Sequence, residues 1–175
     1  MSLAEILPYV LVAQALLGGF DTLVNHELIE KLPHRLSARR EIGLHSVREA
    51  TYGALFVGLG WFEWHGASAF VIAALLLLEI AVTATDEFVE NRTRVLPQNE
   101  RVLHVFLTLN YGLIVALLVP VLLAWSREPN GLALVHHGWT SWALALFGAS
   151  SFAWSMRDLV AWRRLPPPGA GPASA

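Results

Sequence analysis

A carboxylate, an imidazole and a phenol recur at a fixed spacing in two parts of the chain. Positions i, i+4 and i+11 of a helix project from nearly one face, so each copy would present its three groups along one stripe. The interval between the copies is 59 residues for all three groups (100 − 41 = 104 − 45 = 111 − 52), which indicates an internal duplication. The two copies are Glu41, His45, Tyr52 and Glu100, His104, Tyr111.

The segments before these stripes also correspond to each other. Asp21 is followed by Leu32-Pro33 as Asp86 is followed by Leu96-Pro97, and the two intervals differ by one residue. The proline at each of these places breaks the helix and starts a turn. We therefore predict two helical hairpins, at about 4–64 and 68–125, each with polar residues on both arms.

The composition predicts a membrane protein. The chain is 55% hydrophobic and 15% charged, with a mean hydropathy of +0.50, and such values are typical of bilayer-spanning chains. Five uncharged runs support this interpretation, although only the last two alone approach the roughly 20 residues that a span needs. The runs are 6–20, 50–62, 64–78, 105–126 and 138–156.

The expected fold is all-α, integral to the membrane, with five transmembrane helices. The duplicated hairpins would form a four-helix bundle, and a fifth helix would run from about 140 to 162. A single domain would cover 1–165, and the proline-rich segment 166–175 is predicted to be disordered.

The basic residues predict the orientation. Along an up-and-down path, all of the 12 Lys and Arg residues except Arg127 lie toward the face that carries the two proline turns. By the positive-inside rule this face is cytoplasmic. We expect an integral protein of a bacterial inner membrane, with its amino terminus outside and its carboxyl terminus in the cytoplasm.

The same path brings ionisable residues into two layers near the cytoplasmic face. Such residues cost roughly 2.5–3.5 kcal/mol each at mid-membrane, so a cluster of them requires mutual pairing or a bound cation. Carboxylates and imidazoles without thiols favour iron, manganese or zinc. We predict a site for two transition-metal ions, iron first among them, with the ligands Asp21, His26, Glu41, His45, Asp86, Glu90, Glu100 and His104.

This ligand set resembles that of the ferritin-like di-iron carboxylate proteins. In that family two helices of a four-helix bundle each give a carboxylate, and two give a Glu-x-x-His pair. The resemblance implies that Glu41 with His45 and Glu100 with His104 take the paired positions. Asp86 or Glu90, and Asp21 or His26, would take the single positions. The spacing here is one residue longer, Glu-x-x-x-His.

Three further residues are candidates for a catalytic role: Tyr52, Tyr111 and Glu49. The tyrosines would lie about two turns deeper than the ligands, as redox-active or hydrogen-bonding groups. Buried tyrosines that merely satisfy their hydroxyls are the competing interpretation. For Glu49, and for Glu79 on the third helix, the competing interpretation is an ion pair with Arg48.

These features favour a membrane-embedded di-metal oxidoreductase that takes a hydrophobic or lipid-like substrate from the bilayer and electrons from a soluble or membrane donor. A metal or proton transporter, or a metal sensor, is the main alternative. A haem electron carrier ligated by His45 and His104 is a third. The absence of cysteine excludes disulfides and thiolate ligands, and the near-neutral net charge of −2 argues against nucleic acid as a partner.

Overall fold

The computed structural model describes residues 3–166, and the side chains of residues 5–166. The fold is all-α and has five main helices, as expected from the sequence. The predicted disordered tail, 166–175, lies outside the described residues except for Pro166. The helices are α1 Leu3–Phe20, α2 Arg39–Trp61, α3 Ala69–Thr93, α4 Gln98–Trp125 and α5 Trp139–Arg164.

The first helix does not end at Phe20 but continues as a π-helix over Asp21–Ile29. Its wider turn is closed by a bond from the backbone N–H of Glu30 to the carbonyl oxygen of Asn25, at 2.8 Å. A π-helix bonds residues five apart and is uncommon outside functional sites. The sequence predicts one uninterrupted helix here, and the change of winding is a feature that the sequence pattern did not reveal.

The connection to α2 is tighter than the sequence suggests. Two short 3-10 turns, Leu32–His34 and Leu36–Ala38, lead into the helix. Helix α2 therefore starts at Arg39, and Ala38 holds its N-cap position without a side-chain hydrogen bond.

A small β-sheet at the opposite end confirms the up-and-down path of the chain. Strand β1, Phe62–His65, follows α2, and strand β2, Gly131–Leu134, precedes α5. The strands pair antiparallel, with Phe62 opposite Leu134. This sheet joins the α2–α3 and α4–α5 connections at one end of the bundle, so both proline turns lie at the other end.

All five helices contribute to one apolar core. Helix α5 thus belongs to the bundle and is not an appendage to the four duplicated helices. Fully buried members of the core, one from each helix in order, are Leu11, Leu55, Ile72, Leu118 and Leu144.

Helices α2 and α5 approach closely at small residues. A Cβ atom added to Gly148 would lie 2.6 Å from Cγ2 of Val57 and 3.1 Å from the carbonyl oxygen of Gly53. Small residues at such crossings are typical of helix packing in membranes. One polar contact supports the same interface, because the hydroxyl of Ser46 donates to the backbone carbonyl of Ser155 at 3.0 Å.

Three stretches are long and apolar enough to cross a membrane, and they carry α1, α3 and α4. They are Glu5–Ile29, Gly66–Thr93 and Gln98–Trp125. Helices α2 and α5 do not meet this measure, and α2 carries five charged residues along its length. Length and composition thus make three of the five helices candidate membrane spans.

Candidate metal centre

The ends of four helices bring the predicted ligands together. Helix α1, through its π-helical extension, gives Asp21 and His26, and each of the other three helices gives two residues. Seven of the eight side chains are buried, and His104 is partly buried. We divide them into two sets of four, site A (Asp21, His26, Glu100, His104) and site B (Asp86, Glu90, Glu41, His45), of which site A alone has one ligand atom from every member within 4.8 Å of the others.

Site A has the spacing of a metal site. One ligand atom from each of its four residues lies within 4.8 Å of all the others. Nε2 of His26 lies 3.5 Å from Oδ2 of Asp21 and 3.6 Å from Oε1 of Glu100, and Nε2 of His104 lies 3.4 Å from the same Asp21 oxygen. Ligands about 2.1 Å from one tetrahedral ion lie about 3.4 Å from each other. Two carboxylates and two imidazoles therefore converge at the separation that a single ion requires.

The two imidazoles of site A have unused nitrogens. Among the described residues, neither Nε2 of His26 nor Nε2 of His104 has a hydrogen-bond partner, although both atoms are buried. A buried polar atom without a partner costs about 1–3 kcal/mol. Both atoms face carboxylate oxygens at distances where a cation would satisfy nitrogen and oxygen together.

Glu87 supports His104 from behind. Oε1 of Glu87 lies 2.9 Å from Nδ1 of His104, so it can accept a hydrogen bond from Nδ1–H, which leaves Nε2 with a free lone pair. Metal-binding histidines in proteins are commonly held by such a carboxylate on the other ring nitrogen. Helical periodicity does not predict Glu87 as part of the site, because it follows Asp86 directly and the two side chains point about 100° apart.

The π-helix explains how Asp21 and His26 face the same site. In an α-helix, residues five apart point about 140° away from each other, whereas the wider π turn places them nearly in line. Asn25 completes this turn, since its Nδ2 donates to Oδ1 of Asp21 at 2.7 Å. The π segment also accounts for the one-residue difference between the halves, and it places His26, by the interval of 64 residues, at the counterpart of Glu90.

Site B repeats the Asp–His contact of site A. Nε2 of His45 lies 3.1 Å from Oδ2 of Asp86, as His104 faces Asp21. In both cases the aspartate of one half meets the histidine of the other half. The duplication is therefore visible as pseudo-twofold pairing across the bundle.

An arginine lies between the carboxylates of the two sites. Nη2 of Arg94 lies 2.8 Å from Oε1 of Glu41, 3.2 Å from Oε1 of Glu90 and 2.6 Å from Oε1 of Glu100. Its Nη1 also donates to Glu100 at 2.8 Å. Burial by itself lowers the pKa of Arg94, but hydrogen bonds to Glu100 and Glu41 outweigh it and raise that pKa above its ordinary value. The guanidinium is a permanent cation within the cluster.

A second arginine, Arg48, bonds Asp86 through Nη2. The sequence analysis considered Arg48 only as a partner of Glu49 or Glu79, and the structure shows that Asp86 accepts its hydrogen bond. Neither arginine was selected as part of the site. Their positive charge contributes to the predicted orientation of the chain. No local sequence pattern distinguishes an inward-facing arginine from one at the lipid surface.

The two sites touch through their imidazoles. The rings of His26 and His45 stack with centroids 4.4 Å apart and an angle of 11° between their planes. Ligand atoms of His26, His45 and Glu90 also satisfy the 4.8 Å limit, as do those of Glu87, Glu90 and His104. The eight predicted ligands thus form one continuous cluster.

The two candidate catalytic tyrosines meet each other below the cluster. The rings of Tyr52 and Tyr111 are 6.4 Å apart in an edge-to-face arrangement. The Tyr52 hydroxyl accepts from Nε2 of Gln14 at 2.9 Å, and the Tyr111 hydroxyl donates to the carbonyl of Leu76 at 2.8 Å. Both hydroxyls therefore have a structural partner, and a catalytic role for either tyrosine stays a prediction.

Glu49 lies away from the cluster. It is on the α5 side of α2, where its electrostatic neighbours include Asp158 and Arg157. Arg157 in turn donates from Nε to Oδ1 of Asp158 at 2.9 Å and bonds Glu27 through Nη1. Glu49 therefore belongs to a separate charged group between α2 and α5, and the structure does not bring it to the predicted ligands.

Comparison with protein-family models, with curated proteins and with solved structures finds no match for this chain.

Proposed function

We propose that this chain is a membrane-embedded metal-dependent oxidoreductase whose transition-metal centre lies in the clustered carboxylates and imidazoles. The observation that carries the proposal is site A, where two unpartnered buried imidazole nitrogens face two buried carboxylates at 3.4–3.6 Å. A nitrogen–oxygen donor set of this kind suits iron, manganese or zinc. Iron or manganese, when bound, would supply the redox chemistry.

The arrangement of the histidines favours a metal ion over haem. His45 stacks on His26 and contacts Asp86, while His104 contacts Asp21 and Glu87. A haem between His45 and His104 would need a flat apolar space between the two imidazoles, and these contacts fill the surroundings of both rings with ligand-type groups. The carboxylates would have no role in such a site.

A hydrophobic substrate fits the surface beside site A. A groove of about 660 Å³ between α1 and α4 has apolar walls that include Phe20, Val102 and Phe106, and its polar end is formed by Gln98 and Asn99. An amphiphile would lay its chain along the apolar wall with its polar end at the amides. The polar end connects to the centre, because Asn99 donates to Oδ1 of Asn25 at 2.7 Å and Asn25 in turn bonds Asp21.

The proposal includes five membrane crossings, with the centre near the cytoplasmic face. The three apolar stretches provide three spans, and the tight packing of α2 and α5 within the same core supports two more. The concentration of basic residues at the end with the proline turns favours a cytoplasmic location of that end. A cytoplasmic or membrane-bound reductase could then deliver electrons to the centre while the substrate enters from the bilayer.

Metal analysis with an absorption spectrum tests this function. The protein purified in detergent is expected to contain a transition metal in stoichiometric amount, without the Soret band of haem. His104→Ala is expected to lose that metal, whereas His136→Ala, at the other end of the bundle, is expected to keep it. Equal metal content in both variants would refute the centre, and a Soret band would favour the haem carrier. Substrate-dependent oxygen consumption by the iron-loaded protein with a chemical reductant then tests the oxidoreductase assignment.

A further inference from the structure

We infer that the metal centre is asymmetric: one ion binds tightly in site A, while Arg94 and Arg48 act as built-in counter-ions where the duplicated chain would otherwise hold a second ion in site B. This inference rests on the proposed metal-binding function and differs from the sequence-based expectation of two ions.

Exchange of the two halves converts one site into the other at three of four positions. Asp21 corresponds to Asp86, Glu100 to Glu41 and His104 to His45, each with an unchanged residue type. The fourth position differs, since the imidazole His26 in site A is replaced by the carboxylate Glu90 in site B. The two sites therefore have different charges.

The extra carboxylate creates a need for positive charge in site B. The side chains of Glu41 and Glu90 are both 1% exposed, so water cannot screen their repulsion. Arg94 lies between them and bonds both, and Arg48 bonds Asp86. Each of the three carboxylates of site B is thus paired with a guanidinium group.

Only one of the two carboxylates of site A has an arginine partner, because Arg94 bonds both oxygens of Glu100 and, among the described residues, no arginine bonds Asp21. The residue that corresponds to Arg94 at the interval of 64 is Glu30, which has the opposite charge and pairs with Arg35 outside the site. The negative charge of site A comes from Asp21 and Glu100, and Glu100 also contacts Arg94. A divalent ion would offset those two charges.

A guanidinium cannot be removed by deprotonation at any ordinary pH. A metal ion in site B would therefore have to displace a guanidinium from each of its three carboxylates or bind close to that positive charge. An ion in site A competes with a guanidinium only at Glu100. A metal ion bound by the His26–His45–Glu90 group would be subject to the same repulsion, because Glu90 contacts Arg94. The first ion is thus expected in site A, and a second is expected to bind much more weakly.

Zinc and manganese titrations of the full-length, metal-stripped protein in detergent test this asymmetry without any need for activity. Calorimetry and metal analysis after gel filtration are expected to give one tightly bound ion per chain. His104→Ala is expected to abolish that ion, whereas His45→Ala is expected to weaken it less than tenfold. Two ions of similar affinity in the wild-type protein, or loss of the tight ion in His45→Ala, would overturn the inference and leave the metal-binding function intact.

Arg94→Gln isolates the role of the guanidinium. This variant is expected to bind a second ion at least tenfold more tightly than the wild-type protein does, and the additional His45→Ala substitution is expected to remove that gain. Arg92→Gln is the matched control, because Arg92 lies two residues away over the ring of Phe88 and is expected to leave both affinities unchanged.

A second variant covers the case in which Arg94→Gln fails to fold. The double variant Glu90→His with Arg94→Gln removes the extra carboxylate together with its counter-ion and gives site B the residue types of site A. Two ions of similar affinity are expected. One ion in every folded variant would contradict the counter-ion role of Arg94, whereas the absence of any binding in wild-type protein and variants alike would refute the proposed function itself.

Discussion

Oδ2 of Asp21 on α1 lies 3.4 Å from Nε2 of His104 on α4. These two residues come from different halves of the duplicated chain, and their counterparts Asp86 and His45 repeat the contact at 3.1 Å. Each half therefore supplies an aspartate to the histidine of the other. These two contacts join the halves, so the complete cluster exists only when both hairpins have packed together.

The carboxylate behind His104 should control metal affinity. Glu87→Gln keeps the side-chain shape but weakens its interaction with Nδ1 of His104, and loss of such a supporting group lowers metal affinity about 10–100-fold in proteins. We expect a decrease of about tenfold, measured by competition with a chromophoric chelator.

Glu63→Gln is the control for this experiment. Oε2 of Glu63 lies 3.2 Å from Nε2 of His65 at the other end of the bundle, so the same chemical change is made to a histidine–carboxylate pair far from the centre. Equal affinities for Glu87→Gln and wild-type protein would assign Glu87 a role unconnected with the metal.

Two single-residue deletions test the function of the π-helix. Deletion of Leu23 would place Asp21 and His26 four residues apart, the interval at which Asp86 and Glu90 lie on one face of a regular α-helix. Deletion of Leu28 would also restore a regular helix but would leave Asp21 and His26 five apart, about 140° from each other. We expect the first deletion to keep the tightly bound metal and the second to lose it.

The two deletions are matched, because both remove an exposed leucine from the same segment, Leu23 at 50% and Leu28 at 71% exposed. Metal content of the purified variants is the measurement, and thermal unfolding checks that both fold. The opposite pattern of metal content would show that the π winding does not orient these ligands.

The packing of α5 on α2 should be sensitive to one methyl group. Gly148→Ala would bring its Cβ to 2.6 Å from Cγ2 of Val57, and a branched side chain between two helices cannot rotate away. Overpacking of this kind costs roughly 1–3 kcal/mol, so we expect a lower midpoint of thermal unfolding in detergent. Gly112→Ala is the control, since a Cβ there has nothing within 4 Å. A similar midpoint for both variants would contradict the close α2–α5 contact.

The direction of the chain across the bilayer can be tested by cysteine labelling, because the sequence contains no cysteine. Ser37 lies at the end of the bundle with the proline turns, and Glu128 lies at the end with the small sheet. In spheroplasts, a membrane-impermeant maleimide is expected to label Glu128→Cys and to reach Ser37→Cys only after permeabilisation. Labelling of both positions in intact spheroplasts would refute the five-crossing path.

The sequence by itself determined the helices and the identity of the clustered carboxylates and histidines. Helical periodicity is a local property, so Glu41 and His45 share a face wherever the helix is placed, and the duplication requires that Glu100 and His104 do the same. Apolar length and proline turns then fix an up-and-down path that brings these faces to a common depth. The pairing of Asp21 and Asp86 with histidines at that depth follows from counting residues along the helices.

Only the tertiary structure decided which charges accompany the ligands. Arg94 contacts Glu90 by the local interval of four residues, but it reaches Glu41 and Glu100 only because of where the end of α3 lies against α2 and α4. No sequence interval encodes that approach, nor that of Arg48 to Asp86. The winding of the helix around Asp21 and His26 is likewise set by packing, since an α-helix and a π-helix have the same residues available. The direction of Glu49 toward α5 depends on the placement of a helix outside the duplication. The repeat thus specified the predicted ligands, and the contacts between helices gave its two halves different numbers of arginine–carboxylate pairs.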